Sequence, residues 1–423
     1  MFKRIYKIGQ RLRNPSMTTW FHFLKESETW PLASLEAYQL KKLQELVEIA
    51  YANSIYYKNI LDGLGMKPSD IRSLEDLKKL PMTTKSDLLV HNKEIHTNLN
   101  VEKLFQANTS GTSGESLKFS REESADSFNR AAIYRGYSWY NVNPWELNGY
   151  FWGYNFSEKE ALKIRVLDSL QNCFRIFNYR KESIDFFIKK LKNARYLHGY
   201  SSMIYETAKI INKQNLEKPL NLKMVKGTSE KIVEAYQEEI QKAFGQRMIN
   251  EYGAAETGII AFECKSGNMH LNMEGVIVEE IDHEIVVTNL QMHAFPVIRY
   301  YIKLAPKTKK CECGMQHLII EDVTGRIGQP VYGKINTYPS LYFYYIFKNL
   351  ALRQALLLTY QVVQEEKGKI IFLIEQHLDS KEIIHLENEI AVYFKNDMEF
   401  KIEHSQNLTA HNKKLKSFIS NIE

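Results

Sequence analysis

The chain has 423 residues, 44% of them hydrophobic and 25% charged, with 20 glycines and 10 prolines. That is too many core-forming residues for a disordered chain, too little glycine and proline for a collagen-like one, and more length than the ~100–200 residues of one compact domain. The net charge of +6 comes from 56 basic against 50 acidic residues, and signs so evenly mixed argue against a dedicated nucleic-acid binder.

Residues 1 to about 105 read as helical. Lys3, Arg4, Lys7, Arg11 and Arg13 are interleaved with Phe2, Ile5, Tyr6, Ile8 and Leu12, so no export signal is formed there and a solvated first helix is expected. No run approaches the ~18 apolar residues of a membrane span. Four cysteines without a disulfide framework then predict a cytoplasmic protein. From Ala33 to Tyr51, Leu35, Leu40, Leu43, Leu46, Val47 and Ile49 recur near a 3.6-residue period, with Ser34 as the expected cap.

Directly after Leu104 and Phe105 comes Asn108 to Ser116, N-T-S-G-T-S-G-E-S. Gly111 and Gly114 tolerate positive φ and let backbone N–H groups turn inward as an anion nest, with Thr109, Ser110, Thr112 and Ser113 adding hydroxyl donors. Phosphate is the expected guest. No lysine follows Gly114, so this is not the G-x-x-x-x-G-K-[ST] loop.

Between Leu117 and about Ala305, strand-like runs at Leu147–Phe156, Ala194–His198 and Leu222–Val225 alternate with helical ones at Lys181–Leu191, Ser201–Asn212 and Ile232–Phe244. The alternation predicts an α/β fold with largely parallel sheets, whose ligands sit at the carboxyl ends of the strands. Val276–Glu280 and Glu284–Asn289 read as paired strands. Beyond a hinge at about 326–330, residues 331–423 read as a compact βα unit, with strands near Ala355–Gln364 and Lys369–Glu375 and a helix over Lys381–Phe394.

Three further motifs follow the hydroxyl-glycine loop in order: N-E-Y-G-A-A-E-T-G at Asn250–Gly258, P-V-I-R-Y at Pro296–Tyr300, and G-R at Gly325-Arg326. In this order and spacing the chain resembles the adenylate-forming ligases of the acyl-CoA synthetase superfamily, in the branch of phenylacetate-CoA ligase and the CapK-like capsule-biosynthesis proteins. Y-Y-K-N-I-L at Tyr56–Leu61, S-L-E-D-L-K-K-L-P at Ser73–Pro81 and T-K-S-D-L at Thr84–Leu88 also match that branch.

The resemblance implies a large N-terminal multi-sheet α/β adenylation domain over residues 1–328, with a helical N-terminal segment, and a small mobile α+β domain over 329–423. It implies ATP- and Mg²⁺-dependent activation of a small carboxylic acid as an acyl-adenylate, then transfer to CoA or an amine, in surface-polysaccharide biosynthesis. A homodimer stays open. Carried over residue by residue, Glu256 is the Mg²⁺ ligand and a catalytic residue. Tyr252, Gly253 and Ala254 border the nucleotide, Thr109 to Gly114 cradle phosphate, and Arg326 lies near ribose and phosphate. Gly227 to Glu230 resemble a turn against adenine. Phe151, Trp152, Tyr154, His198 and Tyr200 shape the acid pocket, and Lys414 is the catalytic lysine of the small domain, unless it belongs to a basic tail.

Three positions depart from the pattern. Leu304 stands where relatives carry the aspartate that grips both ribose hydroxyls, Gln329-Pro330 replace the acidic hinge pair, and Lys413 replaces a glycine. They support a second reading, a degenerate relative kept as a binding or scaffold subunit. Finally, Cys264, His270, Cys311 and Cys313 have the ligand types of a closed tetrahedral Zn²⁺ site, or are scattered free thiols; Cys173 stands apart as a core residue.

Overall fold

The computed structural model describes residues 1–109, 117–151, 158–176, 181–219, 221–230, 232, 234–281, 284–302, 311–320, 329–354, 356, 358–406, 408 and 417–422. It contains two compact units. The first comprises Met1–Thr109, Leu117–Trp145 and Ile249–Gly325, and the second Ser110–Ser116, Glu146–Met248 and Arg326–Glu423.

In the first unit, helices Phe2–Arg13, Met17–Ser27, Leu32–Asn53 and Ile55–Gly63 precede Glu123–Trp139. The long helix starts after Pro31, whose extended backbone (ψ 154°) makes it the cap, so Ser34 falls in the first turn and does not cap. Its inward face is Leu35, Gln39, Leu43, Leu46, Val47 and Ala50, whereas Leu40 and Ile49 are only half-buried. Gln39 satisfies its amide by donating to the Val276 carbonyl at 2.8 Å. At the far end Ser54 turns extended and its hydroxyl accepts from Tyr57 N, starting the next helix.

Most strands of this unit are antiparallel. Met248–Ala254, Gly258–Glu263, Met269–Leu271 and Ile319–Ile320 follow one another as a ladder, and Val276–Ile281, Glu284–Asn289 and Tyr300–Ile302 form a three-stranded sheet. The parallel sheets expected from sequence do not occur here. The links from Ala254 to Gly258 and from Glu263 to Met269 are far shorter than the dozen or more residues a parallel crossover needs.

P-V-I-R-Y owes its place to packing. Arg299, at φ 52°, is buried, and its Nε donates to Glu279 at 3.0 Å while its Nη1 donates to the carbonyls of Lys78 (3.1 Å) and Leu80. Thr83 N donates to the Arg299 carbonyl at 2.8 Å and Tyr301 N to the Thr83 carbonyl at 3.0 Å. Tyr57 donates to the Pro296 carbonyl and accepts from Ile298 N. The motifs around Tyr57 and Thr83 are thus the docking partners of residues 296–301.

One buried carboxylate joins much of this unit. Glu274 accepts from Arg135 Nη1 at 2.7 Å, from Ser27 Oγ and, 2.9 Å away, faces His317 Nε2. Arg135 also donates to Asn272 at 2.8 Å. Burial alone would raise the Glu274 carboxyl, but the Arg135 charge and the His317 hydrogen bond hold it well below the usual carboxylate range.

In the second unit, Met224–Thr228, Tyr196–Tyr200, Asn148–Phe151 and Cys173–Arg175 are neighbouring parallel strands in that order, as the strand–helix alternation predicts. Helix Lys181–Leu191 has the expected bounds, and Ser201–Lys213 extends one residue further. Ala235–Phe244 begins later than expected and is ended by Gly245 at φ 68°, a left-handed position that suits glycine.

Residues from Gln329 onward carry the hairpin Pro330–Tyr332/Thr337–Pro339, helices Leu341–Gln354 and Ser380–Phe394, and a four-stranded sheet. They share one core with the parallel strands, which includes Leu197, Ile204, Val225, Phe343, Val362, Phe372 and Ile390. The strand expected from about Ala355 begins at Tyr360, and the run before Ala355 is the helix Leu341–Gln354, which the sequence reading did not locate. Its aromatic residues favour strands in isolation, which hides the helix from propensity reasoning.

Glu274→Gln leaves a buried Arg135 without its counter-charge. It is expected to cost about 3–5 kcal/mol, read as the urea midpoint of the full chain. Because folding depresses this carboxyl, its contribution is present at neutral pH and fades as pH falls through the folded-state value. The variant should therefore flatten the acid limb of the stability curve.

Candidate active site

Strands Leu104–Asn108 and Lys118–Glu122 pair as an antiparallel hairpin whose register ends at Asn108 opposite Lys118. The hydroxyl-glycine stretch connects these two strands in sequence. At the base, Thr109 N donates to the Leu117 carbonyl at 2.9 Å and Leu117 N donates to Thr109 Oγ1 at 3.0 Å. Thr109 is buried and closes the loop through its own side chain. Ser110, Gly111, Thr112, Ser113 and Gly114 lie outside the described residues.

Y-G-A-A-E-T-G forms the connection of a second hairpin, with Ala255 to Thr257 as its turn. Gly253 sits at a register irregularity, where an added Cβ would come 2.5 Å from the Gly258 carbonyl oxygen. Gly258 has φ 73°, and a Cβ there would come 2.2 Å from Asn129 Oδ1, the atom that accepts from Ile259 N at 3.1 Å. Both glycines are therefore dictated by backbone geometry.

The turn carries Glu256 inward. Its side chain is buried, 7% exposed, and accepts a 2.9 Å hydrogen bond from the Tyr300 hydroxyl. Tyr252 and Ala254 are half-buried and Gly253 is exposed. Burial, then the Glu256 charge, pushes the phenols of Tyr300 and Tyr252 above their ordinary value, so both remain protonated donors.

The two hairpins are joined by Arg121, whose Nη2 donates to the Ala255 carbonyl at 2.6 Å. Its Nη1 lies 3.6 Å from Asp126. Burial lowers this guanidinium, opposed by the charges of Asp126, Glu122 and Glu256. Arg121 is thus a fixed cation against the backbone of the Glu256 turn.

Sequence reasoning missed both Arg121 and the Tyr300–Glu256 bond. Arg121 was detectable only as a cation on the strand that follows the loop. The contact of Tyr300 with Glu256 spans 44 positions and has no local signature.

In the second unit, His198 stacks on Tyr150 (centroids 4.2 Å, 13°) and its Nε2 lies 3.2 Å from Asn148 Oδ1. Arg175 sits over Tyr150 at 4.8 Å, and Lys226 is the register partner of His198. Burial, followed by the Lys226 and Arg175 charges, pushes His198 well below its ordinary value, so the imidazole is neutral. Tyr200 and Phe151 are fully buried, and the Tyr200 hydroxyl meets that of Tyr345 at 3.3 Å. Glu230, expected beside adenine, accepts from Ser202 N at 2.8 Å in the first turn of helix Ser201–Lys213. Trp152, Tyr154, Leu304, Arg326, Lys413 and Lys414 lie outside the described residues.

Cys264, His270, Cys311 and Cys313 come together, with one donor atom from each lying within 4.8 Å of the others. Cys173 lies in the second unit, where burial pushes its thiol up.

No family model matches the chain. It is 24% identical over 286 residues to protein CapK of Staphylococcus aureus, a match spanning 62% of this chain and 61% of that protein. It is 25% identical over 350 residues to phenylacetate-coenzyme A ligase of Thermus thermophilus, spanning 74% and 76%. The crystal structure of 2-hydroxyisobutyryl-CoA ligase in complex with 2-HIB-AMP and CoA superposes with a TM-score of 0.66 at 16% identity, covering 94% of this chain and 91% of that one.

The chain thus has the fold of an adenylate-forming CoA ligase. Proteins named CapK and phenylacetate-CoA ligase are among its homologues.

Gly258→Ala, with both a left-handed backbone and a blocked Cβ, should lower the denaturation midpoint more than Gly65→Ala. Gly65 has φ 63° but open space around it, so only the backbone term of about 1–2 kcal/mol applies there.

Proposed function

We propose that this chain is an ATP- and Mg²⁺-dependent adenylate-forming ligase. A carboxylate oxygen of a small acid attacks the α-phosphorus of ATP, the bond to pyrophosphate breaks, and an acyl-adenylate forms. A thiolate then attacks the acyl carbon and AMP leaves. CoA is the acceptor favoured by the homologues' names, with an amine as the alternative, and surface-polysaccharide biosynthesis is the setting implied by the capsule branch.

The observation that carries this reading is the Glu256 turn, a buried carboxylate oriented by Tyr300 and tied through Arg121 to the hairpin of the hydroxyl-glycine loop. Such a carboxylate fits Mg²⁺, which takes one or two protein carboxylates and fills its remaining positions with phosphate and water. Glu256 would hold the ion, and a bound Mg²⁺ supplies charge neutralisation on the phosphates. Thr109 and the loop after it are assigned to phosphate, Tyr252 to the nucleotide, His198 to the acid, and Arg326 and Lys414 to ribose-phosphate and the reacting carboxylate. The segment from Gln329, with its own sheet and helices, is assigned as the small domain.

Among the described residues no helix is long and apolar enough to cross a membrane, and the proposal places the reaction in the cytoplasm.

Acid-dependent ATP–pyrophosphate exchange tests the proposal. One class of acid should support exchange, and Glu256→Gln should reduce it by about 10²–10³-fold. Tyr300→Phe keeps the carboxylate but frees it, and should reduce exchange by about 10–100-fold. Absence of exchange with every acid, together with no ATP binding by calorimetry, would replace the enzyme with the scaffold reading that Leu304, Gln329 and Lys413 suggest.

A further inference from the structure

We propose that Cys264, His270, Cys311 and Cys313 form a closed, structural Zn²⁺ site in the first unit, independent of the proposed activity. Three features of the geometry lead there.

The first is the donor arrangement. Cys264 Sγ and Cys311 Sγ are 3.6 Å apart, and Cys313 Sγ lies 3.1 Å from His270 Nε2. With Zn–S bonds of about 2.3 Å, the edge of a tetrahedron is about 3.8 Å. The sulfur pair is close to that edge and well beyond the roughly 2.05 Å of a disulfide. Three thiolates and one imidazole are a Zn²⁺ donor set, too soft for Mg²⁺ or Ca²⁺.

The second is the backbone. His270 comes from strand Met269–Leu271 and the three cysteines from two turns of the same design, Cys264-Lys265-Ser266-Gly267 and Cys311-Glu312-Cys313-Gly314. In each, the glycine three residues after the cysteine takes positive φ, 78° and 90°, and its N–H points back to the cysteine carbonyl, at 2.9 and 3.5 Å. Backbone N–H groups of Ser266 and Asn268 face the Cys264 sulfur, and those of Cys313 and Met315 face the sulfurs of Cys311 and Cys313. The Asn268 amide donates to Cys311 Sγ at 3.2 Å. Donors directed at sulfur are the outer hydrogen bonds that a metal-bound sulfur accepts.

The third is the support behind the histidine. His270 Nδ1 faces the His317 backbone carbonyl at 3.3 Å, an acceptor, so Nδ1 carries the proton and Nε2 turns its lone pair toward the cysteines. This is the outer hydrogen bond that fixes a metal-ligating imidazole. His317 is the residue whose ring meets Glu274, so the clamp adjoins the unit's main polar hub.

Four protein ligands leave no open position, which makes the role structural. The ion would pin the 311–320 segment, whose strand Ile319–Ile320 has two residues, to the hairpin around Cys264 and His270.

The test uses the full chain, purified without added metal or chelator. Elemental analysis should find about one zinc per chain. Replacement by Co²⁺ should give tetrahedral ligand-field bands and thiolate charge transfer, and a strong chelator should lower the melting midpoint. Cys313 is exposed, so Cys313→Ser should fold, yet lose the zinc and the thiolate bands. Zinc-free protein that takes up neither Zn²⁺ nor Co²⁺ after reduction would overturn the proposal. So would a mass lighter by two hydrogens with no metal, which marks a disulfide, or a Cys313→Ser protein that keeps full zinc and an unchanged cobalt spectrum.

Discussion

The first unit depends on a carboxylate with almost no water. Glu274 is fully buried, and an ionised carboxyl in that position is tolerable only with a counter-charge and directed donors. Arg135 supplies the charge from helix Glu123–Trp139, Ser27 a donor from helix Met17–Ser27, and His317 a contact from the segment before Ile319. Parts distant in sequence must therefore assemble together, because each arriving alone would leave a polar group unsatisfied. Arg135 sits on the helix whose Asn129 shapes the Gly258 backbone. The hub thereby anchors one side of the Glu256 turn.

The turn itself is built from backbone constraints, with glycine at the two positions where a side chain would collide. The acid at its apex is aimed inward and held by Tyr300, which reaches it from the sheet that Arg299 pins to residues 78–80. Arg121 then couples this turn to the hairpin Leu104–Asn108/Lys118–Glu122. The motifs around Glu256 and Tyr300 supply pieces of one polar assembly, and residues between motifs, Arg121 and Asn129, join them to their surroundings.

Much of this was legible from residues alone. Helical periodicity located Leu32–Asn53, Lys181–Leu191, Ser201–Lys213 and Ser380–Phe394 closely, since each buries one stripe against a core. The paired strands around 276–289 and the meeting of Cys264, His270, Cys311 and Cys313 were also foreseen. What failed has physical causes. Pro31, rather than Ser34, starts its helix because a hydroxyl caps only where the backbone is extended. The strands Gly258–Glu263 and Ile319–Ile320 of the antiparallel ladder were not located, because short links and a two-residue strand leave little periodicity to read. Leu341–Gln354 was missed because its aromatic residues favour strands in isolation and are held in a helix by packing. The partners of Glu256 and Glu274 lie tens to hundreds of residues away, where no local pattern reaches.

The central claim is that this chain activates a carboxylic acid by joining it to AMP. Oxygen transfer reports that bond directly. Incubation with ATP, Mg²⁺, the acceptor and an acid labelled with heavy oxygen in its carboxylate should yield AMP carrying a single heavy oxygen, because the acid's own oxygen attacks phosphorus and stays there when the acyl group leaves. Unlabelled AMP, or label found instead in inorganic phosphate alongside ADP, would contradict the account.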